Sequence, residues 1–108
     1  MDKKEIFIET LKFIKQNPHT QFAEIKRNIE SILKARGIIG EKREHIGGGI
    51  LTRNIRTPDE TALKINEVFY DLLYKERILT PGINDDNLNL PFVHVSDMDR
   101  LEELLKND

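Results

Sequence analysis

The chain has 108 residues, of which 38% are hydrophobic and 33% are charged, and it contains no cysteine. That length is typical of one domain around one core, and the composition is too apolar for a disordered chain. The absence of cysteine excludes disulfides, thiolate catalysis and thiolate zinc sites. No apolar run approaches the roughly 20 residues that cross a bilayer, and the first residues do not resemble a signal peptide. We therefore expect a cytoplasmic protein with no membrane partner.

The charge is divided unevenly along the chain. Residues 1–57 contain twelve Lys and Arg against seven Asp and Glu, whereas residues 58–108 contain five against twelve. The first part therefore carries +5 and the second −7, which together give the net charge of −2. A nucleic-acid partner would be attracted to the first part and repelled by much of the second.

Two amphipathic patterns open the chain. Residues 3–16 repeat apolar side chains at helical spacing, and the pattern ends before Pro18, which disfavours helix in the residue before it. Thr20 is the predicted N-cap of a second helix that runs to about Arg36, with Gly37 as its natural stop. Both segments are predicted to be surface helices that turn one apolar face to the core.

Residues 37–56 interrupt the helical periodicity because they contain five of the six glycines. We predict a long, flexible, basic connection here, to which residues 50–52 add at most a short strand. The triplet at residues 47–49 is not followed by the Gly-Lys-Ser/Thr of a phosphate loop, so flexibility explains it better. Twenty residues without regular structure are unusual inside a compact domain, and such a segment is either functional or misassigned.

The clearest helix start in the chain is at Thr57. This residue is a good N-cap, Pro58 suits the first helical position, and Glu60 completes a capping box. The apolar spacing continues to about Arg77, and we therefore predict a third helix over residues 58–77.

Residues 78–96 have the pattern of a hairpin followed by a helix start. The predicted strands are residues 78–80 and 92–95, with a polar turn at residues 84–87 between them. Asp85 and Asp86 make this tip acidic, but the ligand spacing of a calcium loop is missing, so we predict a plain turn. A short final helix begins near Ser96, with acidic residues in its first turn.

Two segments, LLYKERILT at residues 72–80 and LPFVHVS at residues 90–96, describe a helix ending in a charged pair, an Ile-Leu strand and a returning strand. This run resembles the winged helix-turn-helix superfamily, which includes many small bacterial regulators. The resemblance covers residues 3–106 in layout and residues 57–96 in specific pattern. It implies one domain over residues 1–108, mainly α with a small β-hairpin (α+β): three helices, a two-stranded wing over residues 78–96 and a short C-terminal helix. It also implies DNA binding and dimer formation, although the usual connection between the second and third helices is shorter.

The helix before the wing lies in the major groove of DNA in many winged-helix proteins, and its exposed face presents cations and amides. The exposed face predicted for the third helix instead carries Glu60, Glu67 and Asp71, with Lys64 as its only cation. Because phosphates would repel three carboxylates, this composition counts against insertion of the helix centre into a groove.

The candidate nucleic-acid-binding residues therefore lie mostly outside the third helix. In or beside the glycine-rich connection they are Lys42, Arg43, Arg53 and Arg56, with His45 among them. The helices add Arg27, Lys34 and Lys64. An arm of this kind could follow a phosphate backbone because charge contacts need little geometric precision. The alternative is a solvated loop beside an ordinary helix surface.

The third helix also has a second apolar stripe, formed by Leu63, Tyr70 and Tyr74 at spacings of seven and four residues. A helix that is apolar on two sides is usually buried on two sides. One interpretation is that the first or last helix covers this stripe. The other is an interface with a second copy or another protein, where tyrosine is favoured.

No set of residues suggests catalysis. His19, His45 and His94 lack the spacing of metal ligands, and His94 is expected on the surface of the second wing strand because Val93 and Val95 flank it. We expect no metal, cofactor or small-molecule substrate. The sequence thus predicts a non-enzymatic DNA-binding module of the transcription-regulator type, with a protein-interaction or dimerisation module as the alternative.

Overall fold

The computed structural model describes residues 1–84 and 86–106. Within these residues the chain is an α+β protein with four α-helices and two antiparallel sheets. The elements are α1 (Lys3–Gln16), β1 (His19–Gln21), α2 (Phe22–Ala35), β2 (Gly40–Ile46), β3 (Gly49–Ile55), α3 (Asp59–Tyr70), β4 (Leu79–Pro81), β5 (Phe92–Val95) and α4 (Met98–Lys106). None of the helices in the described residues combines the length and apolarity that spanning a membrane requires.

The core forms where α1 packs against α2, α3 and α4. Ile6, Leu11 and Ile14 supply the buried face of α1, and they meet the buried faces of the other helices. The remaining fully buried side chains include Ile25, Ile29, Leu33, Ile65, Val68, Leu72, Ile78, Leu79, Val93 and Leu101. The strand residues in this set show that the small sheet closes one side of the helical core.

The predicted bounds of α1 are confirmed, because the helix covers residues 3–16. Asp2 is its N-cap, and its carboxylate accepts a hydrogen bond from the Glu5 N–H at 2.8 Å. The predicted closing helix is also present as α4. The carboxylate of Asp97 accepts a hydrogen bond from the Arg100 N–H at 3.0 Å, and Leu101 is buried. In both places an aspartate side chain caps the first turn of the helix.

Thr20 was predicted to cap the second helix, and this prediction is wrong. Thr20 is buried in β1, opposite Val93 of β5, and α2 begins only at Phe22 without a side-chain cap. The pairing of β1 with β5 overrides the local capping preference of threonine. As a result, the strands predicted as a two-stranded wing belong to a three-stranded sheet with the order β1-β5-β4.

The predicted pairing of the two wing strands is confirmed, since β4 and β5 are antiparallel with Thr80 opposite His94. The loop between them begins at Gly82, whose φ is +106°. At its tip, the side-chain oxygen of Asn84 accepts hydrogen bonds from the N–H groups of Asp86 and Asn87, both at 2.9 Å. These contacts make a polar turn, as predicted; Asp85 lies outside the described residues.

The start of α3 also differs from its prediction. The hydroxyl of Thr57 donates to Glu30 Oε2 at 3.0 Å instead of capping the helix, so no capping box forms and α3 begins at Asp59. The helix continues as a π-helical segment, Asp71–Lys75. It ends near the predicted boundary, where Arg77 adopts a positive φ of 54° and the Ile78 N–H donates to the Leu72 carbonyl.

The largest correction concerns residues 37–56, which are not a flexible connection. Strands β2 and β3 pair along their whole length, from Gly40 opposite Ile55 to Ile46 opposite Gly49. Gly47 and Gly48 form the two-residue turn, and Gly47 has the positive φ, +59°, that such turns require. We call β2, the turn and β3 the arm. All its residues from 41 to 54 are exposed.

The arm projects from the compact part of the molecule. The radius of gyration is 16.7 Å and the principal dimensions are 60 × 31 × 22 Å. A compact chain of this length would have a radius of gyration of about 13 Å. The difference reflects a two-stranded ribbon that has solvent on both faces.

Candidate nucleic-acid interface

The pairing register divides the arm's charged residues between two faces. Lys42 lies directly opposite Arg53. Because side chains alternate along a strand, Glu44, Ile46 and Leu51 share their face. We call this the Lys42 face. The opposite face carries Glu41, Arg43, His45, Ile50, Thr52 and Asn54.

The two faces differ in how their charges are balanced. On the opposite face, Arg43 Nε lies 3.8 Å from Glu41 Oε1, so that this cation has an acidic neighbour. On the Lys42 face, two cations stand across from each other. Like charges directly opposite on neighbouring strands are destabilising, and a two-stranded ribbon without a core is marginal in stability. The Lys42 face is therefore the one that an anion would stabilise.

A groove runs between α2, the base of the arm and the start of α3, and its volume is about 1070 Å³. Its basic lining residues are Lys26, Lys34, Lys42 and Arg56. Its acidic lining residues are Glu30, Glu41 and Asp59. Lys42 of the Lys42 face lines this groove together with Glu41, Thr52 and Asn54 of the opposite face, so both faces of the arm continue into it.

Two contacts fix the arm's base on α2. The aliphatic part of Lys34 passes over Gly40, where a Cβ atom would lie 3.4 Å from Lys34 Cγ. At the other end of the arm, Thr57 is hydrogen-bonded to Glu30. Lys26, Glu30 and Lys34 are four residues apart, which places them on one face of α2. We did not predict Lys26 as a site residue, although its helical spacing from Lys34 indicated that the two lysines share one face of α2.

Five cations of the groove and arm have no carboxylate within ion-pair distance, 4.0 Å, among the described residues. They are Lys26, Lys34, Lys42, Arg53 and Arg56. Residues 26–56 contain eight Lys and Arg against three Glu. A local positive potential is the consequence of this arrangement.

The remaining basic candidates are not brought into this group. Arg27 lies 2.7 Å from Glu24 Oε1 on the exposed surface of α2, and Lys64 lies 3.4 Å from Glu60 Oε1 on α3. Neither residue lines the groove. Of the predicted basic set, Lys34, Lys42 and Arg56 line the groove and Arg53 lies opposite Lys42, whereas Arg43, Arg27 and Lys64 are not among the lining residues.

The predicted acidic face of the third helix is only partly directed at solvent. Lys3 of α1 lies 3.0 Å from Asp71 Oδ2 and 3.5 Å from Glu67 Oε2. The hydrogen bond to Asp71 is the largest contribution to a raised pKa of the Lys3 ammonium group, and Glu67 adds to it. Two of the three carboxylates are therefore matched by α1. The face nevertheless offers no unpaired cation, since Lys64 is paired with Glu60.

The second apolar stripe of α3 is exposed. Leu63 is 57%, Tyr70 55% and Tyr74 68% accessible, so within the described residues neither α1 nor α4 covers it. The rings of Tyr70 and Tyr74 stack, with centroids 6.1 Å apart and an interplanar angle of 8°. Beside Tyr70 is a cleft of about 240 Å³ lined by Phe22, Asn66, Phe69, Tyr70, Leu90 and Pro91. Apolar side chains of α3 and of the β4–β5 loop thus form one surface.

His94 is buried, at 4% exposure, which corrects the expectation of a surface position. It lies on β5, the central strand of its sheet, and its ring is stacked with that of His19, with centroids 6.2 Å apart and an interplanar angle of 20°. The Nδ1 atoms of His94 and His19 lie 2.9 and 2.8 Å from the carbonyl oxygens of Gly82 and Ile83. The pair therefore ties the start of the β4–β5 loop to the sheet. Across residues 1–84 and 86–106, no three His, Cys, Asp or Glu side chains are close enough to hold a metal ion.

Comparisons of the chain with protein-family models, with curated proteins and with solved structures found no match. The functional argument therefore depends on the geometry and charge of the surfaces described above.

Proposed function

We propose that this chain is a non-enzymatic module of the winged-helix type that binds double-stranded DNA. The observation that carries the proposal is the continuous row of unpaired cations from the groove to the arm. Lys26, Lys34 and Arg56 line the groove, and Lys42 connects them to Arg53. Such a row is repulsive in isolation, and a phosphate backbone lowers its electrostatic free energy while releasing condensed counterions.

The acidic residues of the groove offset only part of this charge, because four cations line it against three carboxylates. Glu30 accepts the hydroxyl of Thr57, and Glu41 lies beside Arg43. Asp59 stands in the first turn of α3, where negative charge interacts favourably with the helix N-terminus. Each acid thus has a neighbour of its own, and the unpaired cations stay available for phosphates.

The order of elements supports the winged-helix part of the proposal. Three helices precede the β4–β5 hairpin and α4 follows it, which is the layout that the resemblance over residues 3–106 implies. The arm is an addition between α2 and α3, at the place where the connection was longer than is usual in that superfamily. Because the arm and α2 carry four of the five unpaired cations, we assign the main DNA contacts to these two elements.

The proposal is tested by fluorescence anisotropy with a labelled duplex over a range of salt concentrations. The logarithm of the affinity should fall linearly with the logarithm of the salt concentration, with a slope of about −0.9 for each phosphate contacted. Lys34→Ala and Arg56→Ala should each weaken binding and reduce the slope by about 0.9. Lys15→Ala, which removes the same charge from an exposed position on α1, is the matched control and should change neither. No binding at low salt would refute the proposal.

A second candidate function is docking of a protein partner, and the exposure of Leu63, Tyr70 and Tyr74 favours it. Tyrosine provides much contact area with few rotatable bonds, and aromatic side chains are enriched where proteins meet. The neighbouring cleft would accept one apolar side chain of the partner. This surface does not overlap the groove, so the protein could use both.

The docking function is tested with Tyr74→Glu, which places a charge in the stripe while leaving the buried core unchanged. If the stripe binds a second copy, sedimentation equilibrium should show an oligomer for the unaltered chain and a monomer for the variant. Lys75→Glu, at the next exposed position, is the control for added negative charge. A chain that is monomeric at all concentrations would remove the self-association form of this candidate.

A further inference from the structure

We infer that the arm enters the major groove of B-form DNA and reads base edges through its Lys42 face. This inference rests on the proposed DNA-binding function and names the element and the side chains that recognise sequence. It assigns recognition to the arm, whereas in many winged-helix proteins the helix before the wing lies in the major groove.

The dimensions of the arm match those of the groove. Its two strands lie about 4.8 Å apart, and the major groove is about 12 Å wide, which admits a two-stranded ribbon. Each strand has seven residues and therefore extends about 23 Å. At about 3.4 Å per base pair, that length spans roughly seven base pairs. The exposed residues 41–54 leave both faces of the ribbon open to a partner.

The Lys42 face carries side chains suited to the edges of several bases. Arg53 and Lys42 are donors for the O6 and N7 acceptors of guanine. Glu44 can accept from the N4 amino group of cytosine, and Leu51 and Ile46 can contact the methyl group of thymine. Insertion would also place base acceptors near Lys42 and Arg53, which would reduce the repulsion between these two opposing cations. On the opposite face, by contrast, Arg43 already has Glu41 as its neighbour.

Helix α3 is the weaker candidate for the same role. Its exposed stripe is apolar, and its lone basic residue Lys64 is paired with Glu60. The first turn adds the carboxylate of Asp59. A duplex that approached along α3 would therefore meet carboxylates and tyrosine rings before any unpaired cation. The arm presents the reverse composition, since its exposed cations lead directly into the basic groove.

The inference selects DNA over double-stranded RNA. The major groove of an A-form helix is deep and narrow, and side chains cannot read it. A two-stranded ribbon is wider than a single side chain and therefore fits this groove even less well. We therefore expect the arm to contribute affinity and sequence preference on DNA duplexes but no sequence preference on RNA duplexes.

The experiment begins with duplexes selected from a randomised DNA library by the intact chain, which are then partially methylated with dimethyl sulfate. Bound and free fractions are separated and their methylated positions compared. Methylation of guanine N7, in the major groove, should interfere with binding by the intact chain. Interference at adenine N3 alone would place the protein in the minor groove and overturn the inference.

A variant with a shortened arm provides the second part of the test. Deleting residues 42–46 and 49–53 removes the side chains of the Lys42 face that are proposed to read bases, and it keeps the Gly47-Gly48 turn and the groove cations Lys26, Lys34 and Arg56. This variant should retain weak, salt-dependent binding and lose the guanine N7 interference. If its interference pattern equals that of the intact chain, the inference fails while the proposed function stands. If the intact chain selects no duplex and binds none at low salt, the proposed function itself fails.

Single substitutions keep the test decisive if the shortened arm does not fold, which circular dichroism would reveal. Arg53→Ala should weaken binding to the selected duplex roughly 5- to 150-fold and relax the preference at one guanine. Arg43→Ala removes the same charge from the opposite face and should weaken binding to all sequences alike, without relaxing any base preference. Equal loss of sequence preference in both variants would overturn the assignment of the Lys42 face.

Discussion

Gly82, at the start of the β4–β5 loop, allows the sharpest stability prediction. Its φ of +106° is one that residues with a Cβ atom rarely adopt, and a Cβ atom here would overlap the Asn87 carbonyl oxygen and Leu88 Cα. Both obstacles are backbone atoms, which cannot rotate away as a side chain would. Gly82→Ala must therefore either strain the backbone at residue 82 or displace the loop segment at Asn87 and Leu88.

The size of the effect follows from the contacts at stake. A positive φ costs about 1–2 kcal/mol in a residue with a side chain. Displacing the loop would also weaken two hydrogen bonds, from the Gly82 N–H to the Phe92 carbonyl and from the Ile83 N–H to the Asn87 carbonyl. At about 1 kcal/mol for each bond, the expected loss is about 3–4 kcal/mol of unfolding free energy. For a domain of this size, that loss lowers Tm by about 12 °C or more.

Two other glycines separate the causes. Gly37 has a φ of +75° but open space around it, so Gly37→Ala should lose only the conformational part, about 1–2 kcal/mol. Gly48 has open space and no positive φ, and Gly48→Ala should be neutral or stabilising by up to about 1 kcal/mol. Urea unfolding followed by circular dichroism measures all three. If Gly82→Ala were as mild as Gly37→Ala, the close approach of the loop backbone would be refuted.

Two further predictions concern polar contacts between elements. Thr57→Ala should lower the unfolding free energy by about 1 kcal/mol because it removes the hydrogen bond to Glu30. The same substitution in a Glu30→Ala background should cost much less. An equal cost in both backgrounds would show that Thr57 acts as a helix cap instead. The raised pKa of Lys3 means that its pairing with Asp71 stabilises the folded state at pH values below the ordinary lysine pKa and is lost as the pH rises through the higher folded-state pKa. The stability difference between the unaltered chain and Lys3→Met should therefore be present at neutral pH and vanish in strongly alkaline solution, and a difference that grew with pH would contradict the pairing.

Much of the helical part of the fold could be predicted because its signals are local. Apolar spacing predicted α1 and acidic residues near Ser96 predicted the start of α4, and in the structure Asp2 and Asp97 cap these two helices. Thr20 and Thr57 could also cap a helix, but in the structure both make other contacts. One is taken into β1 and the other is bonded to Glu30, and neither long-range contact can be read from neighbouring residues.

The arm could not be predicted because its pattern lacks a buried face. Strands are usually identified by alternation of apolar and polar residues, which arises when one face is packed on a core. Residues 41–54 have solvent on both faces, so their sequence alternates in no such way. The Gly47-Gly48 turn was the available signal, and we interpreted it as flexibility. His94 was misplaced for a related reason, because the central position of β5 depends on the unpredicted strand β1.

The basic surface could be predicted in part. Lys34, Lys42, Arg53 and Arg56 were identified from charge alone, and the structure brings them together. Their grouping depends on the arm's register and on the packing of its base against α2, and both are properties of the folded chain. For the same reason, charge alone could not separate Arg43, which occupies the opposite face of the ribbon, from the others.

The attachment of the arm at both ends to α2 gives it the mechanics of a lever. Lys34 lies over Gly40 where the arm begins, and Glu30 is hydrogen-bonded to Thr57 just beyond the end of the arm. The pivot point, or fulcrum, of the arm is therefore one turn of α2. Over a ribbon of about 23 Å, a rotation of about 10° at this fulcrum moves the tip by about 4 Å. A load on the tip is transmitted to α2 through these two contacts, and to α3 through residues 56–58, which join it to β3.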